Sequence, residues 1–403
     1  MNNDVWQMLK ALPRRPPRLE RAFSVEDIRQ LARQRLPRSP FDFIDGAAED
    51  EVTMRANRRA FEQVTFVPRT LVEVETRDLS TTALGTKLSL PLVLGPTGTP
   101  GLSHPDAEFA PARAAAKADT AFTVSTGSSH SLTDISAMAR GPLWFQLYTS
   151  TDRGLTDYFI DTAKAAGCTA MMVTVDCPIG GPRERDLRNG HTAPPRITRN
   201  SIVDGLQHPL RLGRWIRNLR NGPGMRLGTI GGYGQGHSIG WITTVFNPRL
   251  TWDEVTRIRE RWEGPLAIKG IMSPADARRA AEIEVDGIVV SNHGGRQLDG
   301  LPATIEALPS IADAVSGSGL EILLDGGIRR GGDIAKARAL GATACMIARP
   351  WVWGMAAEGE AGISRVVEIL RGELDRALAL LGVQSISELD SSFVRVPSEW
   401  RQA

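Results

Sequence analysis

The stretch EILLDGGIRRGGDIAKARALGATACMIARP, residues 321–350, reads as a strand, a glycine turn, a helix-length segment and a second strand. Its two apolar runs, Glu321–Leu324 and Ala344–Ile347, are continuous rather than alternating. That is the pattern of parallel strands buried on both faces. Working outward, six further runs of this kind precede it: Leu90–Leu94, Ala121–Ser125, Leu143–Leu147, Ala170–Val175, Leu266–Ile268 and Gly287–Val290. Amphipathic stretches of helical length separate them, among them Ser273–Val285, which opens Ser-Pro with proline at the first helical position. Eight strand-helix alternations predict an α/β fold of the (β/α)8 TIM-barrel type rather than an open doubly wound sheet. No GxGxxG follows the first run, which weakens the dinucleotide-fold alternative.

Two segments lie outside the alternation. Residues 1–22 read as a loosely ordered basic arm, and residues 23–403 as one barrel domain with an N-terminal helical extension. That extension holds a helix candidate at Ser24–Arg35 and the acidic turn Asp45–Glu51. Residues 177–247 form a long Gly- and Pro-containing connection after the fourth strand, and connections of that length are usually functional or partner-contacting.

Composition narrows the class. The chain has 403 residues, 41% hydrophobic and 23% charged, which excludes a disordered or collagen-like chain. A net charge of +2 argues against a nucleic-acid binder. Cys168, Cys177 and Cys345 cannot build a disulfide framework, and their spacing matches no zinc ligand set. The N-terminus lacks the apolar core of a signal peptide, and no run of about 18 apolar residues exists. The expectation is a cytoplasmic chain. Charge is uneven, however: residues 177–247 carry ten arginines against three acids, Glu184, Asp186 and Asp204.

Barrel active sites gather at the C-terminal ends of the strands. Polar residues stand at each of those ends here: Gly95–Gly98, Ser125–Gly127, Gln146–Tyr148, Thr174–Asp176 with Arg183 soon after, Lys269, Ser291–Arg296, Asp325–Arg329 and Arg349. Taken singly, each has a structural explanation, as a loop histidine, a capping acid or a turn glycine. Together they suggest a dehydrogenation. His293 is the candidate base, and Asp176 stabilises its imidazolium. Arg183 and Arg296 offer bidentate forks for a carboxylate. Lys269, costly to bury without an anionic partner, offsets negative charge on a reduced cofactor. Gly326-Gly327, Arg329 and Arg349 resemble the phosphate site that barrels build after strands seven and eight.

These residues also resemble a known family. SNHGGRQLDG (Ser291–Gly300), WFQLY, TVD followed by RERD (Arg183–Asp186), LDGGIRRG (Leu324–Gly331) and GAAEDE (Gly46–Glu51) are similar to motifs of the FMN-dependent L-2-hydroxy acid oxidases and dehydrogenases. Glycolate oxidase, lactate oxidase, quinone-linked lactate dehydrogenase and mandelate dehydrogenase are members. The likeness covers about nine-tenths of the chain, from Phe23 onward. It implies FMN at the strand ends, with His293 as base, Asp176 as its partner, and Arg296 and Arg183 on the substrate carboxylate. It further implies that Tyr148 hydrogen-bonds substrate. Pro96, Thr97, Gly98, Ser125, Gln146, Thr174, Lys269 and Ser291 would line the flavin, while Asp325, Gly327, Arg329 and Arg349 would hold ribityl and phosphate. It implies a homotetramer and no nucleic acid.

Departures from the family pattern bear on substrate. Phe43 replaces a tyrosine that would hydrogen-bond the carboxylate. Gly127 and Gly180 stand where glycolate oxidase carries Trp and Leu, which opens room for a bulky, aromatic side chain, with mandelate as the example. Pro96-Thr97-Gly98 is similar to mandelate dehydrogenase, while oxidases usually have Pro-Thr-Ala. Pro182 and Ala348 replace an Arg and a Gly without removing a catalytic group. The expectation is an L-2-hydroxy acid dehydrogenase passing electrons to a quinone or another acceptor. The alternatives are an oxygen-using oxidase or an L-lactate dehydrogenase of the same family, a Schiff-base aldolase using Lys269, and a non-catalytic FMN carrier. His208–Asn221, HPLRLGRWIRNLRN, interleaves Leu210, Leu212, Trp215, Ile216 and Leu219 with arginines. It fits either a peripheral contact with the inner face of the cell membrane or a solvated cover over the active site.

Overall fold

The computed structural model describes residues 18–191, 196–224, 226–231 and 247–401. Eight parallel strands close into a barrel: β1 (Leu92–Leu94), β2 (Phe122–Ser125), β3 (Leu143–Leu147), β4 (Ala170–Thr174), β5 (Leu266–Ile271), β6 (Gly287–Val290), β7 (Glu321–Leu324) and β8 (Ala344–Ile347). Each pairs with its neighbour in chain order, and β8 returns to β1 through Cys345–Leu92, Met346–Val93 and Ile347–Leu94. All eight expected strands are present.

Side-chain alternation divides the core. Val93, Trp144, Ala170, Met172, Ala267, Val289, Leu323, Ala344 and Met346 pack into one cluster within the barrel. The opposite faces of the strands bury a larger cluster against the surrounding helices, as layered barrel packing requires. A short antiparallel hairpin, Thr81–Ala83 with Thr86–Leu88, contributes Leu84 and Leu88 to the inner cluster. Trp144 Nε1 donates to Thr86 Oγ1 of that hairpin at 2.9 Å, so it plugs one end of the barrel. Its three-residue strands lie below the length that apolar patterning reveals.

The N-terminal extension folds as helices Val25–Arg35, Arg38–Asp45 and Val52–Gln63. Ser24 caps the first, accepting from Asp27 N while Asp27 returns a bond to Ser24 N. Of the expected basic arm, residues 1–17 lie outside the described ones. The helix after β5 spans Pro274–Glu282, ending three residues before the expected Val285.

Where described, residues 177–247 combine turns and loop with a short helix at Glu184–Arg188 and two longer helices, Arg199–Gln207 and Pro209–Asn221. The second begins at Pro209 as its sequence predicts and runs through Gly213. Its apolar face is split. Trp215 Nε1 donates to Leu102 O at 2.9 Å, and Arg211 bonds Asp204 and Arg33 O, so both turn toward the barrel. Of the two expectations for this stretch, a membrane contact or a cover over the active site, Trp215 itself serves the packing of the helix onto the chain beneath it. Among the described residues no helix is long and apolar enough to cross a membrane.

Candidate active site

Strand geometry brings the polar residues together at one mouth of the barrel. In β3, Trp144 points into the core, so Gln146, two residues on, points inward at the strand's end. Its side chain bridges two neighbouring strands: Ser125 Oγ donates to Gln146 Oε1 at 2.9 Å, and Gln146 Nε2 donates to Thr174 Oγ1 at 2.9 Å. Lys269 lies on the next strand, opposite Thr174 in register.

Strand β5 continues past the expected Ile268, with a register shift between Lys269 and Ile271. Gly270 occupies the shift at φ +114°, and a Cβ there would fall 2.7 Å from Asp176 Cβ. Only glycine lets the end of β4 close over β5 at this point. The close approach sets Asp176 beside His293.

Lys269 is 4% exposed and has the anionic partner its burial demands. Its ammonium lies 2.9 Å from Asp325 Oδ2 and donates to Ser291 Oγ at 2.9 Å. Burial works to lower the lysine, but Asp325 and Asp176 outweigh it and hold the group above its ordinary value. Ser291, expected to line the flavin, is fully buried behind this lysine and accepts from both Lys269 and His293 N.

His293 sits in the left-handed region at φ +56°, between Ser291 and two glycines that share that conformation. The turn projects its ring into the pocket. Nδ1 lies 3.1 Å from Asp176 Oδ1, and Nε2 lies 3.4 Å from the Tyr148 hydroxyl. This network assigns the proton to Nδ1 and leaves Nε2 as acceptor. Burial opposes the Asp176 carboxylate, yet His293 and Lys269 prevail and keep it below its ordinary value. Tyr148 is pushed well above its ordinary value by burial, with Cys177 and Asp176 adding to the effect.

Arg183 and Arg296 both lie over the Phe43 ring, 5.7 and 5.3 Å from its centroid. Arg296 Nη1 donates to the carbonyls of Phe43 and Gly46, which fixes the guanidinium. Burial, with Arg183 and Arg349 nearby, depresses Arg296 well below its ordinary value. A desolvated Arg296 with the half-buried Arg183 beside it on one pocket makes a site for an anion. Gly181 permits this arrangement, since a Cβ there would fall 2.3 Å from Arg296 O.

A second cationic pair, Arg329 and Arg349, lies across the same pocket. Burial and the proximity of Arg349 and Arg58 lower Arg329 to about 9, and burial lowers Arg349 as well. Arg349 Nη1 and Nη2 donate to Gly294 O and Gly46 O, while its Nε is buried with no partner in the described residues. Asp325 Oδ1 and Thr97 Oγ1 are likewise buried without partners there. FMN fits these orphaned groups. Its phosphate suits Arg329 and Arg349, its ribityl hydroxyls suit Asp325, and its ring edge suits Thr97, Gln146 and Lys269.

The other expected lining residues also border the pocket: Pro96, Gly98, Ser125, Gly127, Thr174 and Gly327. Gly180 does not. It lies on the exposed turn after β4, so its missing side chain opens no volume within the pocket. Sequence reasoning missed Leu227 and Ile230, which line the pocket from the returning end of the long connection. It also missed His191, stacked on Phe43 at 4.3 Å between ring centroids, and Cys177, whose Sγ lies 3.4 Å from His293 Nδ1. Two isolated apolar residues in a glycine-rich stretch, a loop histidine and a single cysteine carry no periodic signal.

The fold and this pocket define a flavin-dependent barrel oxidoreductase. The pattern of the FMN-dependent dehydrogenases matches residues 32–396. The chain is 38% identical over 387 residues to an L-lactate dehydrogenase of Caulobacter vibrioides, covering 93% of this chain and 98% of that one. It is 41% identical over 373 residues to an L-lactate oxidase of Nostoc sp., covering 91% and 96%. It superposes on the crystal structure of the monotopic membrane protein (S)-mandelate dehydrogenase with a TM-score of 0.87 at 36% identity, over 94% of this chain and 100% of that one. The chain belongs to the FMN-dependent dehydrogenase family. It is a flavoprotein that uses FMN in the oxidation of 2-hydroxy acids.

Proposed function

We propose that the chain oxidises an L-2-hydroxy acid with a bulky, aromatic side chain to the 2-oxo acid and delivers the electrons to a quinone. The observation that carries the reading is the convergence on one pocket of a His293–Asp176 pair, a desolvated Arg296 with the half-buried Arg183 beside it, and a buried lysine. Arg183 and Arg296 bind the substrate carboxylate over Phe43, whose ring adds no hydrogen bond to it. His293 Nε2 takes a proton from the substrate, and Asp176, already ionised against Nδ1, stabilises the imidazolium. Tyr148 fixes the Nε2 side of the ring and the substrate oxygen. FMN, when bound, accepts the two electrons the substrate loses. Lys269, its ammonium fixed by Asp325 and Ser291, would supply the positive charge that offsets the negative charge of the reduced group.

The aromatic preference rests on Gly98 and Gly127. Both line the pocket without adding a side chain to it, and their backbones lie against one another: a Cβ on Gly127 would lie 3.3 Å from Gly98 Cα. Leu227 and Ile230 add an apolar wall. The test is anaerobic mixing of the FMN-loaded protein with L-mandelate, L-lactate and glycolate while following the visible flavin absorbance. Mandelate should bleach it fastest, with slow recovery in air and rapid recovery with a quinone. Faster bleaching by lactate or glycolate would overturn the aromatic preference, and rapid recovery in air would favour an oxidase. A Gly127→Trp variant should lose mandelate turnover while keeping the short acids.

A membrane surface is the second reading, and one observation favours it. The paired helices Arg199–Gln207 and Pro209–Asn221 leave Leu206 76% and Leu210 85% exposed, with Ile202, Val203 and Ile216 also outward among exposed arginines. An apolar patch ringed by cations suits an anionic bilayer. The protein should sediment with phosphatidylserine-containing vesicles at low salt, and Leu206→Glu with Leu210→Glu should release it. Equal sedimentation of the double variant would remove the patch from the interaction.

A further inference from the structure

Asp176, Cys177 and His293 bring three different ligand atoms to one point, and they are the one such group among the described residues. Asp176 Oδ1 and His293 Nδ1 are 3.1 Å apart, Cys177 Sγ and His293 Nδ1 3.4 Å, and Cys177 Sγ and Asp176 Oδ1 3.5 Å. Tetrahedral Zn2+ with ordinary bond lengths separates its ligand atoms by roughly 3.3–3.6 Å. The triangle's circumradius is about 1.9 Å, just under those bond lengths, so an ion fits slightly off its plane with water in the fourth position. Carboxylate, thiolate and imidazole together select a borderline-soft ion over Mg2+ or Ca2+.

The position of each residue supports the grouping. Asp176 and Cys177 are consecutive at the end of β4, and the glycine at 270 lets that segment close against β5. His293 reaches them from the turn after β6. Catalysis as derived above uses Asp176 and His293 and has no task for the thiol, which is nonetheless packed against both.

We propose that Asp176 Oδ1, Cys177 Sγ and His293 Nδ1 form a site for Zn2+ or a similar divalent transition metal, and that filling it turns the enzyme off. The ion replaces the thiol proton, which leaves to solvent. It also displaces hydrogen from Nδ1, and the neutral ring carries that hydrogen on Nε2 instead. One proton is released per ion, and Nε2 can no longer accept one from substrate. Binding tightens as pH rises, because the metal must displace the thiol proton. Lys269 opposes the incoming cation, but its ammonium is engaged by Asp325, and the bound site gains the negative charge of the thiolate. The inhibitory half of this inference rests on the reading of His293 as the base.

The test uses the FMN-loaded protein with zinc chloride and, separately, cobalt chloride. Equilibrium dialysis should find one Cys177-dependent zinc per chain, and a weakly buffered solution should register one proton released. Cobalt should show tetrahedral ligand-field bands to the red of the flavin absorbance. Zinc should abolish turnover, EDTA should restore it, and Mg2+ should do nothing. Cys177→Ala and Cys177→Ser, each checked for retained flavin, should weaken zinc binding at least about tenfold and lose the cobalt bands. Equal zinc affinity in the wild type and both variants, or no proton release and no cobalt bands in the wild type, would overturn the site. Cys177-dependent binding that leaves turnover intact keeps the site, and overturns both the switch and the assignment of His293 as base.

Discussion

His191 stacks on the Phe43 ring, over which Arg183 and Arg296, the arginines proposed to bind the substrate carboxylate, both lie, and its surroundings decide its charge. Burial, then Arg183 and Arg296, lower it to about 4 from an ordinary 6.5. The unfolded chain therefore takes up a proton near pH 6.5 that the folded chain refuses until about pH 4. Stability falls through that window as pH drops, by up to about 3 kcal/mol. His191→Phe keeps a ring on Phe43 and removes the titration, so its melting temperature should decline less between those pH values. Parallel declines in the two proteins would show that His191 does not set the acid limb. His293→Asn removes the acceptor at Nε2 and should lower kcat by about 10²–10⁴-fold with the flavin spectrum retained. Retention of more than a tenth of the wild-type rate would move the base elsewhere. Only one of the two announces itself locally: His293 is marked by its Gly-Gly-Arg setting, whereas His191 is a loop histidine until the fold brings Phe43 to it.

At the scale of elements, the segment Arg349–Leu381 begins at the arginine proposed to hold the FMN phosphate and continues as the last long helix. It is two helices joined at Glu358–Gly359, where Gly359 takes φ 59° and ψ −137°, a region open to glycine alone. A Cβ on Gly359 would also lie 3.0 Å from Cε1 and Nε2 of His104. Gly359→Ala should cost about 1–3 kcal/mol, read as a lower melting temperature of the FMN-loaded protein. An unchanged melting temperature would mean that the kink relaxes freely. The eight strands were legible because continuous apolar runs survive any tertiary context. The hairpin plug was not, since its three-residue strands bury only alternate residues. Nor was the helix Arg199–Gln207, which buries one glycine and turns its three large apolar residues, Ile202, Val203 and Leu206, outward. Lys269 read as the end of a strand because it is polar, yet β5 runs on through a bulge.

For the whole molecule, the pocket collects unmet electrostatic demand. Arg329 and Arg349 are buried beside one another, and Asp325 Oδ1 and Arg349 Nε lack partners among the described residues. FMN binds the folded chain alone, so saturation at about a hundred times Kd adds about 2.7 kcal/mol of stability. Stripping FMN should lower the melting temperature, and inorganic phosphate should restore part of the loss by pairing with the two arginines. Arg349→Ala should shrink both effects. A stripped protein that melts at the same temperature with and without phosphate would remove the phosphate from this corner of the pocket.

The amino-acid sequence by itself determined the barrel, the strand ends that bear chemistry, and the family whose motifs they match. These follow from local patterning: apolar runs make buried strands, and a polar residue at the end of such a run has the barrel mouth as its place. Tertiary structure alone decided which of those residues meet. It put Asp325 on Lys269, Cys177 between Asp176 and His293, and Leu227 with Ile230 over the pocket. It also left Gly180 outside. Those pairings join residues dozens to more than a hundred positions apart, and they depend on strand register, on one bulge and on the path of a long connection. None of these is written in any single stretch of the chain.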